Sequence, residues 1–307
     1  MRKRSCLILC VLFIIVSCAK KDIKVSSIGL YDISKDDRHI VFSFNGKENK
    51  TSIFQIDTNG ALLKEIIPAS TDSIYYNPRY NSDGSKILFI CSSSNANGHS
   101  SLYISNSDGS QKKRVLEVEE IITEAIFSDC ERKIYYIGSK ELGHSSPLGK
   151  DQPHLANIYS LNLEDGKVKQ ETNLDAYSIF RVSEYKCDSL LMYIPYPSTA
   201  GMVSVSKKTL QMERVQPANN PRNDSTLYYI PNYSKQFNML AFTAPYELYI
   251  MSMVDKQAKL VTREGSMISE FKFFNTKRRI LYTNESQNCF YYVDFGGGNK
   301  RTLKLNL

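Results

Sequence analysis

The sequence has no Trp, only four His in 307 residues, and no long run of charge of one sign. Its 15 Gly and 10 Pro exclude a collagen-like or low-complexity chain, and a hydrophobic content of 42% is enough for a sizeable core. The net charge of +7 includes three cations at residues 2–4, and the remaining +4 is spread out, which argues against a nucleic-acid partner. The GxSxG, HExxH, Walker and dinucleotide-binding motifs are absent, so the sequence favours a role other than catalysis, without a cofactor.

A single apolar run, Cys6–Val16, follows the cations Arg2–Arg4. It is shorter than the roughly 20 residues of a membrane-spanning helix and is typical of a signal peptide. The residues that end it, Ile15-Val16-Ser17-Cys18, resemble the signal of bacterial lipoproteins. This resemblance implies a signal peptide over 1–17, a lipidated tether over 18–24 and a body over 25–307. An ordinary signal peptide that happens to end near a Cys is the alternative.

The lipoprotein resemblance also implies a location. Acylation of Cys18 would hold the protein on a membrane, because each buried methylene contributes about 0.8 kcal/mol and several acyl chains act together. In enteric bacteria an Asp after the lipidated Cys resembles an inner-membrane retention signal, and here that residue is Ala19. We therefore expect a lipid-anchored protein of the cell envelope, on the outer membrane where the host has one, with the side of the membrane left open.

Two columns of short apolar runs recur six times through the body, about 47 residues apart. The first column reads Ile40-Val41-Phe42, Ile87-Leu88-Phe89, Ile134-Tyr135-Tyr136, Leu190-Leu191-Met192, Leu240-Ala241-Phe242 and Ile280-Leu281-Tyr282. The second reads Ile53-Phe54, Leu102-Tyr103, Ile158-Tyr159, Met202-Val203, Leu248-Tyr249 and Phe290-Tyr291. A further extended stretch precedes each first run and follows each second run, so every unit contains four predicted strands.

Six units of four strands predict an all-β fold, a six-bladed β-propeller of four-stranded antiparallel blades. A parallel solenoid is the alternative, but tight turns such as Asp108-Gly109 and Asp165-Gly166 favour antiparallel hairpins. The chain ends on a predicted outer strand at 301–307, which leaves no strand to complete the first blade. Closure is therefore predicted to rest on packing between the first and sixth blades.

The second unit is the most regular. Asn81-Ser82-Asp83-Gly84 precedes the strand Ile87-Leu88-Phe89, and Asn106-Ser107-Asp108-Gly109 follows the next strand. These turns resemble the WD-like repeat of the TolB propeller and of the propellers in the prolyl oligopeptidase group. The resemblance implies the same architecture over residues 25–307.

Four cysteines belong to the body, Cys91, Cys130, Cys187 and Cys289, and they are widely spaced without a CxxC pair. The repeat places them on different blades, so we predict free thiols, with neither disulfides nor a zinc site.

The connection between second and third strands is longest in the third unit. We predict a loop over 138–157 that contains His144, Asp151 and His154, and the neighbouring unit adds His99 on the same face. Tyr196 and Tyr246 belong to the corresponding connections of the fourth and fifth units. These six residues are the candidate ligand-binding residues, and whether the His and Asp side chains bind a metal is left open.

The predicted inner strands contain no His but carry Arg79, Glu124, Arg181 and Lys272. Two functions fit the sequence. The first is a non-enzymatic scaffold that binds an envelope protein or peptide through the propeller loop face. The alternative is a carbohydrate-binding or polysaccharide-lyase-type propeller with a glycan as ligand, although lyase-type propellers carry several His on their inner strands.

Overall fold

A computed structural model of the chain describes residues 27–46, 50–93, 99–144, 151–186, 188–195, 201–222, 228–285 and 288–305. Cys18, Cys187 and Tyr196 lie outside these ranges, as does the predicted signal peptide. Within the described ranges, no helix is long and apolar enough to cross a membrane.

The described chain forms six antiparallel sheets of four consecutive strands each. The sheets are numbered 1 to 6 in chain order as blades. Blade 1 contains β1 Ser27–Ile33, β2 His39–Asn45, β3 Thr51–Asp57 and β4 Lys64–Ile67; blade 2 contains β5 Ser73–Tyr80, β6 Lys86–Ser93, β7 Ser100–Asn106 and β8 Lys113–Val118; and blade 3 contains β9 Ile121–Phe127, β10 Lys133–His144, β11 Asp151–Asn162 and β12 Val168–Gln170. Blade 4 contains β13 Phe180–Tyr185, β14 Ser189–Ile194, β15 Gly201–Ser206 and β16 Met212–Arg214; blade 5 contains β17 Tyr229–Ser234, β18 Met239–Ala244, β19 Glu247–Ser252 and β20 Ala258–Arg263; and blade 6 contains β21 Ile268–Phe273, β22 Arg279–Asn284, β23 Cys289–Asp294 and β24 Arg301–Lys304.

The six sheets are the blades of a closed ring. Each first strand, called here an inner strand, contacts the inner strands of the two neighbouring blades, and β1 contacts β21. The inner strands therefore surround a central channel. This confirms the predicted all-β, six-bladed propeller and excludes the parallel solenoid.

The two apolar columns form the core between the blades. In five blades an aromatic residue of the second strand stacks on one of the third strand, with ring centroids 5.2–5.8 Å apart and planes within 23° of parallel. These pairs are Phe42–Phe54, Phe89–Tyr103, Tyr136–Tyr159, Phe242–Tyr249 and Tyr282–Tyr291. Aromatic and β-branched pairs across neighbouring strands stabilise antiparallel sheets, which explains why the columns recur at this spacing.

The ring closes where blade 1 packs on blade 6, a contact called here the seam. Phe290 lies 5.0 Å from the ring of Tyr31 and 5.4 Å from that of Phe42, measured between centroids. The buried carboxylate of Asp37 accepts hydrogen bonds from the backbone amides of Asn275 and Thr276, at 2.6 and 2.8 Å. Each of the six sheets uses strands of one blade alone, so the predicted closure by packing is confirmed.

The third blade corrects one prediction. Residues 138–157 were expected to be a loop, but β10 and β11 are 12 residues each and stay paired as far as His144 and Asp151. Strand pairing satisfies the backbone groups of both arms, which a loop of this length would leave to solvent.

Three cysteines are described, and none of the three is in a disulfide. Cys91 is partly buried, Cys130 is exposed and Cys289 is buried.

Candidate functional site

The inner strands carry a bulge at the same level around the channel. Each of the six shifts its register with the second strand of its blade near the middle. Asn77, Arg181 and Ile230 lie at these shifts with φ of 54°, 59° and 51°. Pro78 and Pro231 follow two of them directly, as expected where the sheet ladder needs no amide donor. Bulges redirect side chains, and here they bring charged residues into the channel.

Arg181 crosses the channel and closes it. Its Nη1 donates to Glu124 Oε1 of blade 3 at 2.8 Å, and its Nε lies 2.6 Å from Glu270 Oε2 of blade 6. Its Nη2 donates to the backbone carbonyl of Ser269 at 3.2 Å. The side chains of both glutamates are 3% exposed and that of Arg181 is 16% exposed. We call Arg181, Glu124 and Glu270 the plug.

Attraction between opposite charges holds the three plug residues together, and all three side chains are largely shielded from water. Burial by itself would lower the pKa of Arg181, but the carboxylates of Glu270 and Glu124 outweigh burial and hold that pKa above its ordinary value. Around the plug, a chamber lined in part by Arg79, Ser183 and Lys272 has a volume of about 10 Å³. Such a space holds about one water molecule, so the channel is narrow where the plug residues meet.

A wider cavity, called here the mouth, opens on one side of the plug and has a volume of about 400 Å³. Its walls come from the turns between first and second strands in five blades, and include Tyr80, Phe127, Asn232 and Tyr233. Lys272 lines both the mouth and the chamber, and so forms part of the mouth's floor.

The rim of the mouth carries an ion pair between blades 3 and 5. Lys235 Nζ lies 3.0 Å from Asp129 Oδ2, with side-chain exposures of 78% and 59%. A pair this exposed contributes about 0–1 kcal/mol, so it separates easily when a ligand approaches.

The predicted candidates that the structure describes lie on the opposite face, where second strands connect to third strands, and Tyr196 lies outside the described residues. His99 is exposed just before β7. His144 and Asp151 are paired at the far end of the third-blade hairpin, and their side chains lie outside the described part of the structure. The His154 ring packs edge-on against Tyr177 with centroids 4.0 Å apart. Tyr246 is 49% exposed beside Arg222 and Arg263 in a separate cavity.

The structure pairs His144 with Asp151 in register but does not join the candidates into one pocket. Among the described residues, no three His, Cys, Asp or Glu side chains are placed to hold a metal ion. The inner-strand charges Arg79, Glu124, Arg181 and Lys272, by contrast, meet in the channel.

Sequence analysis missed Glu270, which completes the plug, and Asp32, which lines the mouth. The sequence does mark both residues, because each is an acidic residue inside a predicted strand whose other face is apolar. The prolines at positions 78 and 231 also mark the bulges in two of the inner strands.

The sequence matches no protein-family model and no curated protein. Solved structures do match. TolB from Acinetobacter baumannii superimposes with a TM-score of 0.67 at 13% identity, covering 93% of this chain and 65% of that one. The fold is that of the TolB-like six-bladed β-propellers. This chain thus spans a little under two thirds of the length of that TolB chain.

Two further structures show how widely this architecture is used. The propeller domain of the Trilobed protease from Pyrococcus furiosus, which has an open velcro topology, matches with a TM-score of 0.58 at 13% identity, over 92% of this chain and 98% of that one. An oligogalacturonate lyase in complex with manganese matches with a TM-score of 0.61 at 10% identity, over 91% of this chain and 78% of that one. At these identities the likeness establishes the fold, and the ligand has to be argued from the residues.

The channel of this chain offers Arg, Lys and Glu side chains in ion pairs, and no His. Two glutamates that share one arginine are a poor set of ligands for a divalent cation, which prefers free carboxylates or imidazoles.

Proposed function

We propose that this protein is a lipid-anchored envelope lipoprotein whose propeller binds an extended segment of a protein or peptide at the mouth. The observation that carries the proposal is a cavity of about 400 Å³ that is open at one end and closed at the other by the plug. A cavity of this size suits a few residues of an extended chain. The binding surface proposed here is therefore the face opposite the one expected from the sequence.

The walls of the mouth suit a peptide. Phe127 and Tyr233 offer partly exposed aromatic surface, while Asn232 and the rim pair of Lys235 and Asp129 offer hydrogen bonds. Aromatic contacts with a polar rim are the usual composition of a protein-binding surface.

The alternative of a glycan ligand is supported by the cation Lys272, which lines the mouth and would suit a carboxylate of a polyuronate. It also agrees with the structural likeness to a lyase, although that likeness shows the fold alone. A competition between peptide and oligouronate therefore belongs in any binding test.

The proposed lipid anchor is tested by substituting Cys18, the predicted site of lipid attachment. Wild-type protein produced in a bacterium with lipoprotein-processing enzymes should incorporate radiolabelled palmitate and partition with membranes. A Cys18→Ser variant should do neither, because the thiol that accepts the diacylglyceryl group is gone. Labelling of the Cys18→Ser variant would show that Cys18 is not the lipid site, and absence of label from the wild-type protein would return residues 1–18 to an ordinary signal peptide.

The binding site is tested by blocking the mouth. Lipidated wild-type protein, used to capture partners from detergent-solubilised envelopes, should enrich one defined protein. Asn232→Trp fills the mouth and should reduce that capture at least tenfold. The same substitution at Val254, which is 83% exposed away from the channel, should leave capture unchanged.

A third variant compares the two faces. Tyr246→Ser alters the opposite face and should also leave capture unchanged. Loss of the partner with Tyr246→Ser but not with Asn232→Trp would contradict the proposal and place binding on the loop face. Thermal unfolding of each variant shows whether any loss of capture reflects loss of fold.

A further inference from the structure

A second cavity, called here the seam cavity, lies where the turn between β3 and β4 of blade 1 meets β22–β24 of blade 6. Its volume is about 530 Å³, and it shares no lining residue with the mouth. Among the described residues, no acidic side chain lines it, whereas four cations do: Lys277, Arg279, Arg301 and Lys304. A cavity with this lining attracts an anion.

The strand register places two of these cations on one face of blade 6. Arg279 lies opposite Asp294 across β22 and β23, and Arg301 lies opposite Tyr292 across β23 and β24. Residues 292 and 294 lie on the same face of β23, and cross-strand partners share a face. That face packs on blade 1, because Tyr292 belongs to the same core cluster as Phe42. Both arginines therefore face blade 1, one on each side of β23.

One of the four cations has a carboxylate partner within the described ranges. Arg279 Nε donates to Asp294 Oδ1 at 2.9 Å, which leaves both of its Nη groups without a hydrogen bond there. The side chains of the other three cations form neither an ion pair nor a hydrogen bond with any described residue. All three residues are exposed, so their N–H donors are available to a ligand.

Two further carboxylates lie near the seam cavity without lining it. Asp37 is 1% exposed and accepts hydrogen bonds from the 275–276 segment. Asp57 Oδ1 lies 3.0 Å from His39 Nδ1. Even with these two and Asp294 counted, the carboxylates are fewer than the four cations, and only the cations line the cavity. The excess of positive charge is therefore in the place that a ligand reaches.

The lining suits a phosphate ester. Guanidinium groups bind phosphate oxygens through paired hydrogen bonds, and ammonium groups add point charges. A phosphoryl group concentrates nearly two negative charges and three acceptor oxygens, so it engages several cations that converge on one cavity. A uronate carries one charge per sugar ring and would need cations spread along a groove. Asn59 and Thr302 are exposed in the lining and add uncharged hydrogen-bond donors.

We propose that the seam cavity binds a phosphate-bearing ligand, with the phosphoryl group held by Lys277, Arg279 and Arg301. A soluble phosphate ester and the phosphorylated headgroup of a lipid present the same group, and the experiment below distinguishes them. The site is separate from the mouth and does not depend on peptide binding there. Because Asn59 belongs to blade 1 and the cations belong to blade 6, the ligand also joins the two blades across the seam.

The test titrates full-length lipidated protein in a nonionic detergent with inorganic pyrophosphate, followed by isothermal calorimetry. We expect saturable binding at one site that weakens as salt is added, since salt screens exposed charges. Absence of saturable binding at low salt would overturn the proposal.

A double substitution locates the site. Lys277→Met combined with Arg301→Met should weaken pyrophosphate binding by at least about tenfold, because two charged donors are lost. Lys113→Met combined with Arg114→Met removes the same two charges from exposed positions on β8 and should bind as the wild type does. Equal weakening in both double variants would show attraction to net charge alone and would contradict the proposal. Thermal unfolding confirms that each variant is folded.

A footprint on the wild-type protein needs no substitution. Pyrophosphate should slow the acetylation of Lys277 and Lys304 by an N-hydroxysuccinimide ester, measured by mass spectrometry after digestion. Lys113, on the outer strand of blade 2, should react at the same rate with and without pyrophosphate. Equal protection of all three lysines would place the ligand elsewhere.

Three further ligands identify the source of the phosphate. Glucose phosphate represents a soluble ester, dihexanoyl phosphatidate represents a lipid headgroup, and dihexanoyl phosphatidylcholine is the control without a phosphomonoester. The tighter of the first two identifies the source, whereas binding of both no tighter than the control overturns the proposal. Tighter binding of digalacturonate than of pyrophosphate would overturn it in favour of a uronate ligand.

A variant of the mouth separates this inference from the proposed function. Asn232→Trp, which fills the mouth, should leave pyrophosphate binding unchanged. Loss of pyrophosphate binding in that folded variant would place the anion in the mouth and contradict a separate site at the seam.

Discussion

Replacing Arg181 by Met should lower the free energy of unfolding by about 3–5 kcal/mol, because it leaves the buried carboxylates of Glu124 and Glu270 without their cation. Neither glutamate can turn toward water, since each side chain is 3% exposed on an inner strand. The loss is measured by urea unfolding at neutral pH, followed by circular dichroism.

Two controls identify the cause of that loss. The triple variant Arg181→Met, Glu124→Gln, Glu270→Gln removes the uncompensated charges and should recover most of the lost stability. Lys208→Met breaks an ion pair with Asp188 that is mostly exposed, and should cost less than about 1 kcal/mol. A loss below 1 kcal/mol for Arg181→Met itself would mean that water reaches the plug, and the channel could then not be treated as closed.

Replacing Phe290 by Ala should cost about 3–5 kcal/mol and should open the seam in particular. Phe290 is fully buried between the rings of Tyr31 and Phe42, and among the described strands none is shared between blades 1 and 6 to reinforce packing at the seam. Native-state hydrogen exchange, followed by mass spectrometry, should show the largest gain in exchange in β1 and β21–β24.

The matched control lies between blades 1 and 2. Phe89 is also fully buried, against Tyr75 and Tyr103, but its blades are joined directly by the chain. Phe89→Ala should lower global stability by a similar amount without increasing exchange selectively at the chain ends. Equal exchange profiles for the two variants would contradict the view that the ring opens at the seam.

The architecture could be predicted from the sequence because its signals are local. Each strand shows apolar residues at the spacing of a pleated sheet, and each hairpin carries turn residues within a few positions, as at Asp108-Gly109. Repetition makes the pattern easier to recognise, because a strand or turn that is weakly marked in one unit can be identified by comparison with the other five. The count of blades and of their strands follows from this periodicity.

The candidate site was predicted only in part. The inner-strand charges Arg79, Glu124, Arg181 and Lys272 are visible in the sequence as polar residues inside predicted strands. The histidines led instead to a predicted ligand-binding site on the opposite face, because a cluster of His and Asp side chains can bind a metal ion. The structure leaves the described part of that cluster spread along a hairpin and beside Tyr177.

The sequence by itself determined the blades, since strand alternation and turn chemistry act over a few residues. Tertiary structure alone decided that Arg181 contacts Glu124 and Glu270, which are 57 and 89 positions away in the sequence. It also decided on which side of these three residues the mouth opens. The reason is geometric. Which side chains share a level around the channel depends on the bulge in each inner strand and on closure of the whole ring, and a one-residue change in register would turn a channel residue into a core residue.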